Sequence, residues 1–329
     1  MRILVYEWCC SGGLAGLDAG EDESLDRLHA EGLAMFLAVL RDARRDPRCE
    51  VTAVVDATRP LTLPAGVRSR SVPVGADLFT LTAEAATAET TILVAPETDG
   101  ILLERVAAVL AAGARALNAS AAFIAIAADK QATVNALAAA GVPVPAGRAL
   151  APGDTVPERF NMPAVCKLRD GVGGEGFAVI QSADNQPIAK ATRLEAFVAG
   201  EPVGVSCLCG PLGLEVLPPL RQRFSAGNPP RFLGGEPLRE GSAARRASAL
   251  ARRAVAAVAR AAGEAGCGLG WVGVDMILGP RDDGRADRVL EVNPRLTTSF
   301  VGLAAAAPRS LVRAMLDLAA GGRISDGAA

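Results

Sequence analysis

Two short stretches carry the groups best suited to chemistry. Trp271-Val-Gly-Val-Asp-Met-Ile277 and Arg288-Val-Leu-Glu-Val-Asn-Pro-Arg-Leu-Thr-Thr298 are apolar, β-branched and bounded by Gly, Pro and Asp, which predicts the two strands of a hairpin. Residues two apart on a strand share a face, so Glu291 and Asn293 project together, and Asp275 can reach that face from the partner strand. Two carboxylates and an amide converging on an apolar strand are costly unless a cation neutralises them. Hard oxygen donors of this kind suit Mg²⁺, or Mn²⁺, holding a nucleotide's phosphates. Pro294 ends the strand and turns Arg295 toward the same space. For Glu291 and Asn293 taken alone, a hairpin with a solvated polar side is the plain alternative.

A second group lies upstream. Ala164-Val-Cys-Lys167 reads as a short strand, followed by Asp170-Gly-Val-Gly-Gly-Glu-Gly176 with four glycines in six positions. Successive backbone N–H groups in such a loop form a concavity for an anion, and Lys167 adds a point charge beside it. No Gly-Lys-Ser/Thr follows, so this is not a Walker loop, and as a lone feature the run serves equally as a hairpin turn. Arg221 and Arg223 lie on a predicted strand edge, where either could face a substrate carboxylate or a transferred phosphate; a solvated edge is the alternative. The sole histidine, His29, falls within a predicted helix and reads as structural, which argues against a Ser-His or Cys-His pair.

The elements that must position these groups follow from periodicity. Residues 3–7 form a buried-strand pattern, a helix is predicted from Leu25 to Arg44, and apolar runs recur at Val51–Val55 and Thr91–Ala95, with a helix over Ile101–Ala112. Strands alternating with helices predict a parallel sheet covered on both faces. Ligands of such sheets bind beyond the carboxyl ends of the strands, which selects Glu7-Trp-Cys-Cys-Ser-Gly-Gly13 and Pro96-Glu-Thr-Asp-Gly100. Glu7, Ser11, Gly12 and Glu97 are therefore candidate substrate contacts, with plain turns as the alternative. The spacing of Ser11-Gly-Gly-Leu-Ala-Gly16 is wrong for a dinucleotide fingerprint. Downstream, a helix over Gln131–Ala140 is closed by Gly141, and Val203–Cys207 reads as a strand. Residues 243–265 read as a long Ala/Arg covering helix, Ser299–Ala319 as the last helix, and 321–329 as a frayed tail.

Composition narrows the class. The 329 residues are 50% apolar with net charge −2 and scattered Lys and Arg, so no electrostatic footprint calls for nucleic acid or an anionic membrane. Cysteines at 9, 10, 49, 166, 207, 209 and 267 form no CxxC pair and read as reduced core residues of a cytoplasmic protein. Glu7 interrupts the apolar opening too soon for a signal-peptide core, and the run Ala116–Ala128 falls short of the ~20 residues a membrane span needs. The expected partners are small molecules, and a homodimer is compatible with this composition.

In chain order, Asp129-Lys130 before a short helix and Gly-Val-Pro-Val-Pro145, Lys167 with its glycines, Glu195, Asp275, and Glu291-x-Asn293-Pro-Arg295 resemble the ATP-grasp carboxylate-amine ligases over about 119–329. The resemblance implies an α/β and α+β architecture in which two α+β subdomains clasp ATP. It places an N-terminal parallel α/β domain at 1–118, an ATP-grasp domain at 119–329 and a mobile lid near 145–198. It further implies that Lys130 and Lys167 contact ATP phosphates under a lid formed by Gly171, Gly173, Gly174 and Gly176, with Glu175 pointing away or meeting a metal. Glu195, Phe197 and Val198 would hold adenine, and Glu201 the ribose, although Pro202 stands where the acid is expected. Mg²⁺ on Asp275, Glu291 and Asn293 would serve transfer of a phosphoryl group to a carboxylate. Arg295, with Lys167 and Arg223, would stabilise the acyl phosphate and the intermediate formed on amine attack. Within the superfamily, Ile3-Leu-Val-Tyr-Glu-Trp8 with Ser11-Gly-Gly-Leu14, Ala95-Pro-Glu-Thr-Asp-Gly100 and Glu291 to Ser299 most resemble the tyramine:L-glutamate ligase group of methanofuran biosynthesis. That likeness implies a γ-glutamyl amide of an aromatic amine. A D-alanine:D-alanine type or another amino-acid ligase, a non-catalytic ATP-binding module, and a kinase that stops at phosphate transfer are the rival readings.

Overall fold

The computed structural model describes residues 1–15, 23–172, 174, 176–183, 186–227, 230–264, 266 and 269–322. The chain opens with β1 (Arg2–Glu7), α1 (Glu23–Ala43), β2 (Glu50–Asp56), β3 (Arg68–Val72), α2 (Asp77–Ala85), β4 (Thr90–Val94) and α3 (Ile101–Ala111). The strands form a parallel four-stranded sheet in the order β3-β2-β1-β4. Residues Ile3–Tyr6 and Ile92–Val94 are buried without alternation, as strands covered on both faces must be. β3 was not evident in the sequence because Arg-Ser-Arg-Ser-Val is an exposed edge with only Val72 buried.

Two short helices, α4 (Ala121–Ala128) and α5 (Lys130–Ala139), lead into the next layer. Ser120 caps the first through Phe123 N, and Asp129 caps the second through Gln131 N and Ala132 N, so the Asp129 cap fixes where Lys130 begins its helix. A second sheet follows, built from β5 (Gly147–Leu150), β6 (Ala164–Leu168), β7 (Ala178–Ile180) and β8 (Thr192–Ala196) in the order β5-β8-β6-β7. Its own core is small: Leu150, Val156, Ala164 and Leu194.

The third sheet comprises β9 (Glu201–Gly210), β10 (Gly213–Val216), β11 (Leu220–Phe224), β12 (Phe232–Pro237), then, after α6 (Ser242–Ala261), β13 (Gly270–Leu278) and β14 (Arg288–Asn293). Its order is β12-β11-β9-β13-β14, with β10 paired to β9. The expected strand edge at Arg221–Arg223 is corrected here: β11 pairs with both β9 and β12, and β12 takes the edge. One face of the sheet is apolar, carrying Val203, Val205, Cys207, Val272, Val274 and Met276, and it packs in one core with Ala254, Val255 and Val258 of α6. Each buried Val or Met of this kind contributes about 1.5–3 kcal/mol. The opposite face presents Gly204, Ser206, Gly273 and Asp275, the period-two complement of the same strands.

The last helix is also corrected. Instead of one helix over 299–319 there are two, α7 (Ser299–Ala306) and α8 (Leu311–Ala319). Ala307, immediately before Pro308, is extended, as the proline ring demands, and Ser310 caps α8 through Arg313 N. Phe300 meets Trp271 edge to face at 5.2 Å. Buried Asp42 of α1 accepts hydrogen bonds from Ser310 Oγ at 2.8 Å and Val312 N at 2.7 Å, anchoring the last helix to the first. Both larger cores mix early and late residues, one joining Leu4, Phe123 and Val205, the other Val5, Leu40, Trp271 and Met315. Packing therefore runs across the proposed division at 118/119, whereas the second sheet keeps a core of its own. Among the described residues, no helix is long and apolar enough to cross a membrane.

Candidate active site

β13 and β14 are antiparallel neighbours in a register that sets Asp275 opposite Glu291 and Gly273 opposite Asn293, with a bulge after Asp275. Asn293 Nδ2 donates to Asp275 Oδ2 at 2.9 Å, and Gln222 Nε2 of β11 donates to Asp275 Oδ1 at 2.7 Å. Burial, then the charge of Glu291, raises the Asp275 pKa. Burial also acts to raise Glu291, but Lys130, Lys167, the hydrogen bond to Asp275 and Arg295 together lower it. Burial and the facing charge thus push Asp275 toward its neutral form, while the nearby cations favour ionised Glu291. A divalent cation between the two carboxylates would relieve the same repulsion. The donors are all hard oxygens, and because Asn293 spends its NH₂ on Asp275, its Oδ1 is left to face a cation. Among the described residues no three His, Cys, Asp or Glu side chains form a metal-binding group, and here Asn293 adds an amide oxygen to two carboxylates. The residues fit Mg²⁺ in kind.

Two lysines reach this cluster from outside the sheet. Lys130 Nζ lies 3.6 Å from Glu291 Oε2 and donates to Gly171 O at 2.6 Å, linking α5, the glycine loop and β14. Lys167 Nζ, buried on β6, is 2.7 Å from Glu195 Oε1 and donates to Leu290 O of β14 at 3.3 Å. Glu195 is itself buried, and its second oxygen accepts from Arg193 Nε at 2.9 Å. Arg193, 1% exposed, also donates to Gln131 Oε1 at 2.7 Å and Pro145 O at 3.1 Å, so one side chain ties β8 to α5 and to the segment that leads into the second sheet. The glycine loop presents the Gly171 carbonyl to Lys130, where backbone amides were expected; the O of Asp170 accepts from Thr98 Oγ1 at 3.1 Å. Gly176 has φ +64 and a Cβ there would lie 2.5 Å from Leu168 Cγ, so no other residue fits. Gly174 has φ +82, while Gly173 and Glu175 lie outside the described residues, as do Cys267 and Gly16.

Arg295, directed back by Pro294, donates through Nε to Glu97 Oε2 at 2.7 Å, a contact that joins β14 to the loop after β4. Both groups are largely enclosed. Of the candidate residues after β1, none is brought to this cluster. Glu7 accepts from Cys10 N at 2.8 Å, Ser11 Oγ donates to Val54 O at 2.7 Å, and Gly12 sits at φ +97 against Val72, which closes a self-satisfied turn. Burial raises Glu7 from the ordinary 4.5 to about 7. Cys9 and Cys10 are buried thiols, their pKa values raised by burial first and by Glu7 second.

Arg223 is not brought to the site either: it is exposed on β11 and pairs with Glu236 at 2.6 Å, while its neighbour Gln222 faces Asp275. Glu201 pairs with Arg221, and Phe197 is exposed with its N–H given to Pro163 O at 3.1 Å. Val198 is half-buried. A cleft of about 560 Å³ lined by Gly200, Glu201, Pro202, Arg221 and Gln222 lies beside this linker. Sequence reasoning missed Gln222, Arg193 and Arg169. Strand alternation could have found the first, since period two that points Arg221 and Arg223 outward turns Gln222 inward. Glu195, two residues on, is a local partner of Arg193, but Gln131 and Pro145, which give it its tying role, are distant in sequence. Arg169 pairs with Asp129 and fixes the end of β6 against the start of α5.

Comparison with known proteins places this geometry. A family profile for the ATP-grasp domain matches residues 127–299, and one for the pre-ATP-grasp 3 domain matches residues 49–124. The chain belongs to the ATP-grasp family. It is similar in fold to an ATP-grasp superfamily protein from Archaeoglobus fulgidus, at TM-score 0.70 and 21% identity over 99% of this chain and 89% of that one. D-alanine–D-alanine ligase from Bacillus anthracis shares the fold at TM-score 0.65 and 14% identity, over 97% of each chain. L-amino acid ligase from Bacillus licheniformis does so at TM-score 0.66 and 14% identity, over 96% of this chain and 73% of that one. No curated protein matches in sequence.

Proposed function

We propose that this ATP-grasp protein is a carbon–nitrogen ligase that joins an amino-acid carboxylate to an amine at the expense of ATP. One observation carries the reading: Asp275, Glu291 and Asn293 meet on the polar face of the third sheet, with Lys130, Lys167 and Arg295 arriving from three different elements. Asp275, Glu291 and Asn293 would hold Mg²⁺, which when bound would supply neutralisation of the ATP phosphate charge. Lys130, beside the Gly171 carbonyl, and Lys167 hold the phosphate chain. A carboxylate oxygen attacks the γ-phosphorus, ADP leaves, and an acyl phosphate forms. The amine nitrogen then attacks the carbonyl carbon, Arg295 stabilises the oxyanion, and the C–O bond to phosphate breaks. No covalent protein nucleophile is required, which suits a chain with one histidine.

For the substrates we infer L-glutamate and a tyramine-like amine, on the likeness of the Ser11-Gly-Gly-Leu14, Pro96-Glu-Thr-Asp-Gly100 and Glu291–Ser299 stretches to that ligase group. Phe224, two residues beyond Gln222, and Phe232 stack edge to face at 5.8 Å on the β11–β12 hairpin, which supports an amine with an aromatic body. ATP use supports a cytoplasmic setting. The engagement of Glu201 by Arg221 favours a second reading, an ATP-binding module without turnover. ADP release decides between them: amino acids screened against amines with Mg²⁺ and ATP, glutamate with tyramine first, should give amine-dependent ADP and phosphate and a product of amide mass. ATP binding with no ADP from any pair would establish the module instead.

A further inference from the structure

Glu97 closes the corner where the loop after β4, α1 and the end of β14 meet. It is 5% exposed, and its Oε2 is bonded to Arg295. Its Oε1 is buried and has no hydrogen-bond partner. A carboxylate oxygen enclosed in this way is expensive unless a donor reaches it, so the structure lacks a group that this oxygen is shaped to receive. The surroundings say which kind. Arg295 supplies one positive charge, and Glu31 of α1, half-buried, adds a second carboxylate that feels Arg27 first and Arg295 second. An ionised carboxylate oxygen only accepts, so the missing partner is a donor, and a charged N–H group makes the strongest hydrogen bond of that kind. Arg295 gives Nε to Glu97 and Nη1 to Leu296 O at 3.3 Å, while Nη2 makes no hydrogen bond to the described residues. Cationic and anionic sites are thus offered side by side, two residues from Asn293.

The loop is held for this purpose. Thr98–Gly100 forms a tight turn in which Asp99, not a glycine, takes φ +55, and Thr98 Oγ1 is tied to Asp170 O at the start of the glycine loop.

We propose that Glu97 is the ammonium-binding residue of the site, its Oε1 receiving the charged amino group of a substrate while Oε2 holds Arg295 toward the reacting carbonyl. The assignment rests on the ligase reading for its chemistry, and it selects substrates that carry a primary ammonium close to the carbonyl that Arg295 serves. That ammonium is either the amine partner or the α-amino group of the amino acid, and the two are separable. Glu97→Gln is the informative variant, because its carbonyl can still accept from Arg295 Nε while its NH₂ replaces the unmatched oxygen with a donor.

The test is direct binding to the full chain with Mg²⁺ and ATP present, read as ligand-induced thermal shift. The probes are 2-phenylethylamine against 2-phenylethanol, and L-glutamate against L-2-hydroxyglutarate. The wild type should prefer one ammonium over its hydroxyl twin by about tenfold or more, a hydrogen bond between charged groups being worth that much; the pair that shows the preference names the substrate. Glu97→Gln should erase the preference and leave ATP affinity and hydroxyl-twin binding within about twofold. Glu97→Asp, which keeps the charge, should retain part of it and covers the case in which Glu97→Gln fails to fold. Preference intact in Glu97→Gln would mean that a water satisfies Oε1, and the proposal would be wrong. A parallel fall in ATP and hydroxyl-twin binding would reduce Glu97 to a support for Arg295, and absence of any preference in the wild type would also overturn the assignment. Because the readout is binding, an ammonium preference without ADP release would refute the ligase reading and leave this one standing.

Discussion

Two clusters of buried charge face each other across the site, and they are balanced differently. On the second sheet, Glu195 lies between Lys167 and Arg193, and Arg193 spends its remaining donors on Gln131 and Pro145. There the chain alone neutralises Glu195. On the third sheet, Asp275 and Glu291 confront one another; Lys130, Lys167 and Arg295 act on Glu291, while Asp275 has only Asn293 and Gln222 as neutral donors. At Asp275 this second cluster is short of positive charge. A carboxylate set between two cations is balanced by the chain, and one that faces another carboxylate with only amide donors is a place for a cation; the contrast separates balanced from unbalanced charge among residues of the same type.

Breaking the deficient cluster should produce the largest effect. Asp275→Asn keeps the shape but replaces one accepting oxygen with an NH₂ that cannot accept from Gln222 or Asn293, and it takes a carboxylate out of the proposed cation site, so turnover should fall by at least about a thousandfold, about 4 kcal/mol of transition-state stabilisation. The melting temperature should stay near that of wild type, since the lost hydrogen bond is offset by relief of the repulsion with Glu291. Steady-state ADP release and thermal melting test the pair, and a stable variant with near-normal turnover would remove Asp275 from the chemistry.

The balanced cluster should respond the other way. Arg193→Leu strands Glu195 and unties Gln131 and Pro145, a loss of about 3–5 kcal/mol. Hydrogen exchange should show the faster opening concentrated in residues 147–196, because that sheet has a separate, small core. Uniform loosening of all three sheets would show that the second sheet does not open on its own.

A third buried carboxylate calibrates both. Glu7 has neither a cation nor a guanidinium, only the N–H and thiol groups of Cys9 and Cys10, and burial lifts it from 4.5 to about 7. Its folded pKa exceeds its unfolded one, so its contribution is fully present below about pH 4.5 and is lost as pH rises through about 7. Glu7→Gln should flatten that decline, gaining about 3 kcal/mol relative to wild type at pH 8 as measured by denaturant titration at pH 5 and pH 8. Parallel curves for the two proteins would show that Glu7 titrates normally.

Lys167→Ala sharpens the comparison with the smallest change. It removes the phosphate contact proposed for Lys167 and one of the two cations on Glu195, and ATP affinity should weaken about tenfold by isothermal titration. Unchanged ATP affinity would assign Lys167 wholly to Glu195.

Much of the fold was legible because its signals are local. The buried strands β1 and β4, the helices α1, α3, α5 and α6, and the two sequence stretches that became β13 and β14 all lie where apolar periodicity placed them. The polar edge β3 carried no periodic signal. The break between α7 and α8 was available in Pro308 and Ser310 but was outweighed by an apolar stripe that continues on both sides.

The sequence by itself determined that Asp275, Glu291 and Asn293 share a face, because side-chain direction on paired strands depends only on parity and register. Tertiary structure alone decided which charges are spent and which are free. Arg295 meets Glu97 from 198 residues away, and Arg193 meets Gln131 from 62. Such pairings depend on how three sheets pack, which no window of sequence encodes, and they are what turned Glu195 into the partner of Lys167 and left one oxygen of Glu97 unmatched.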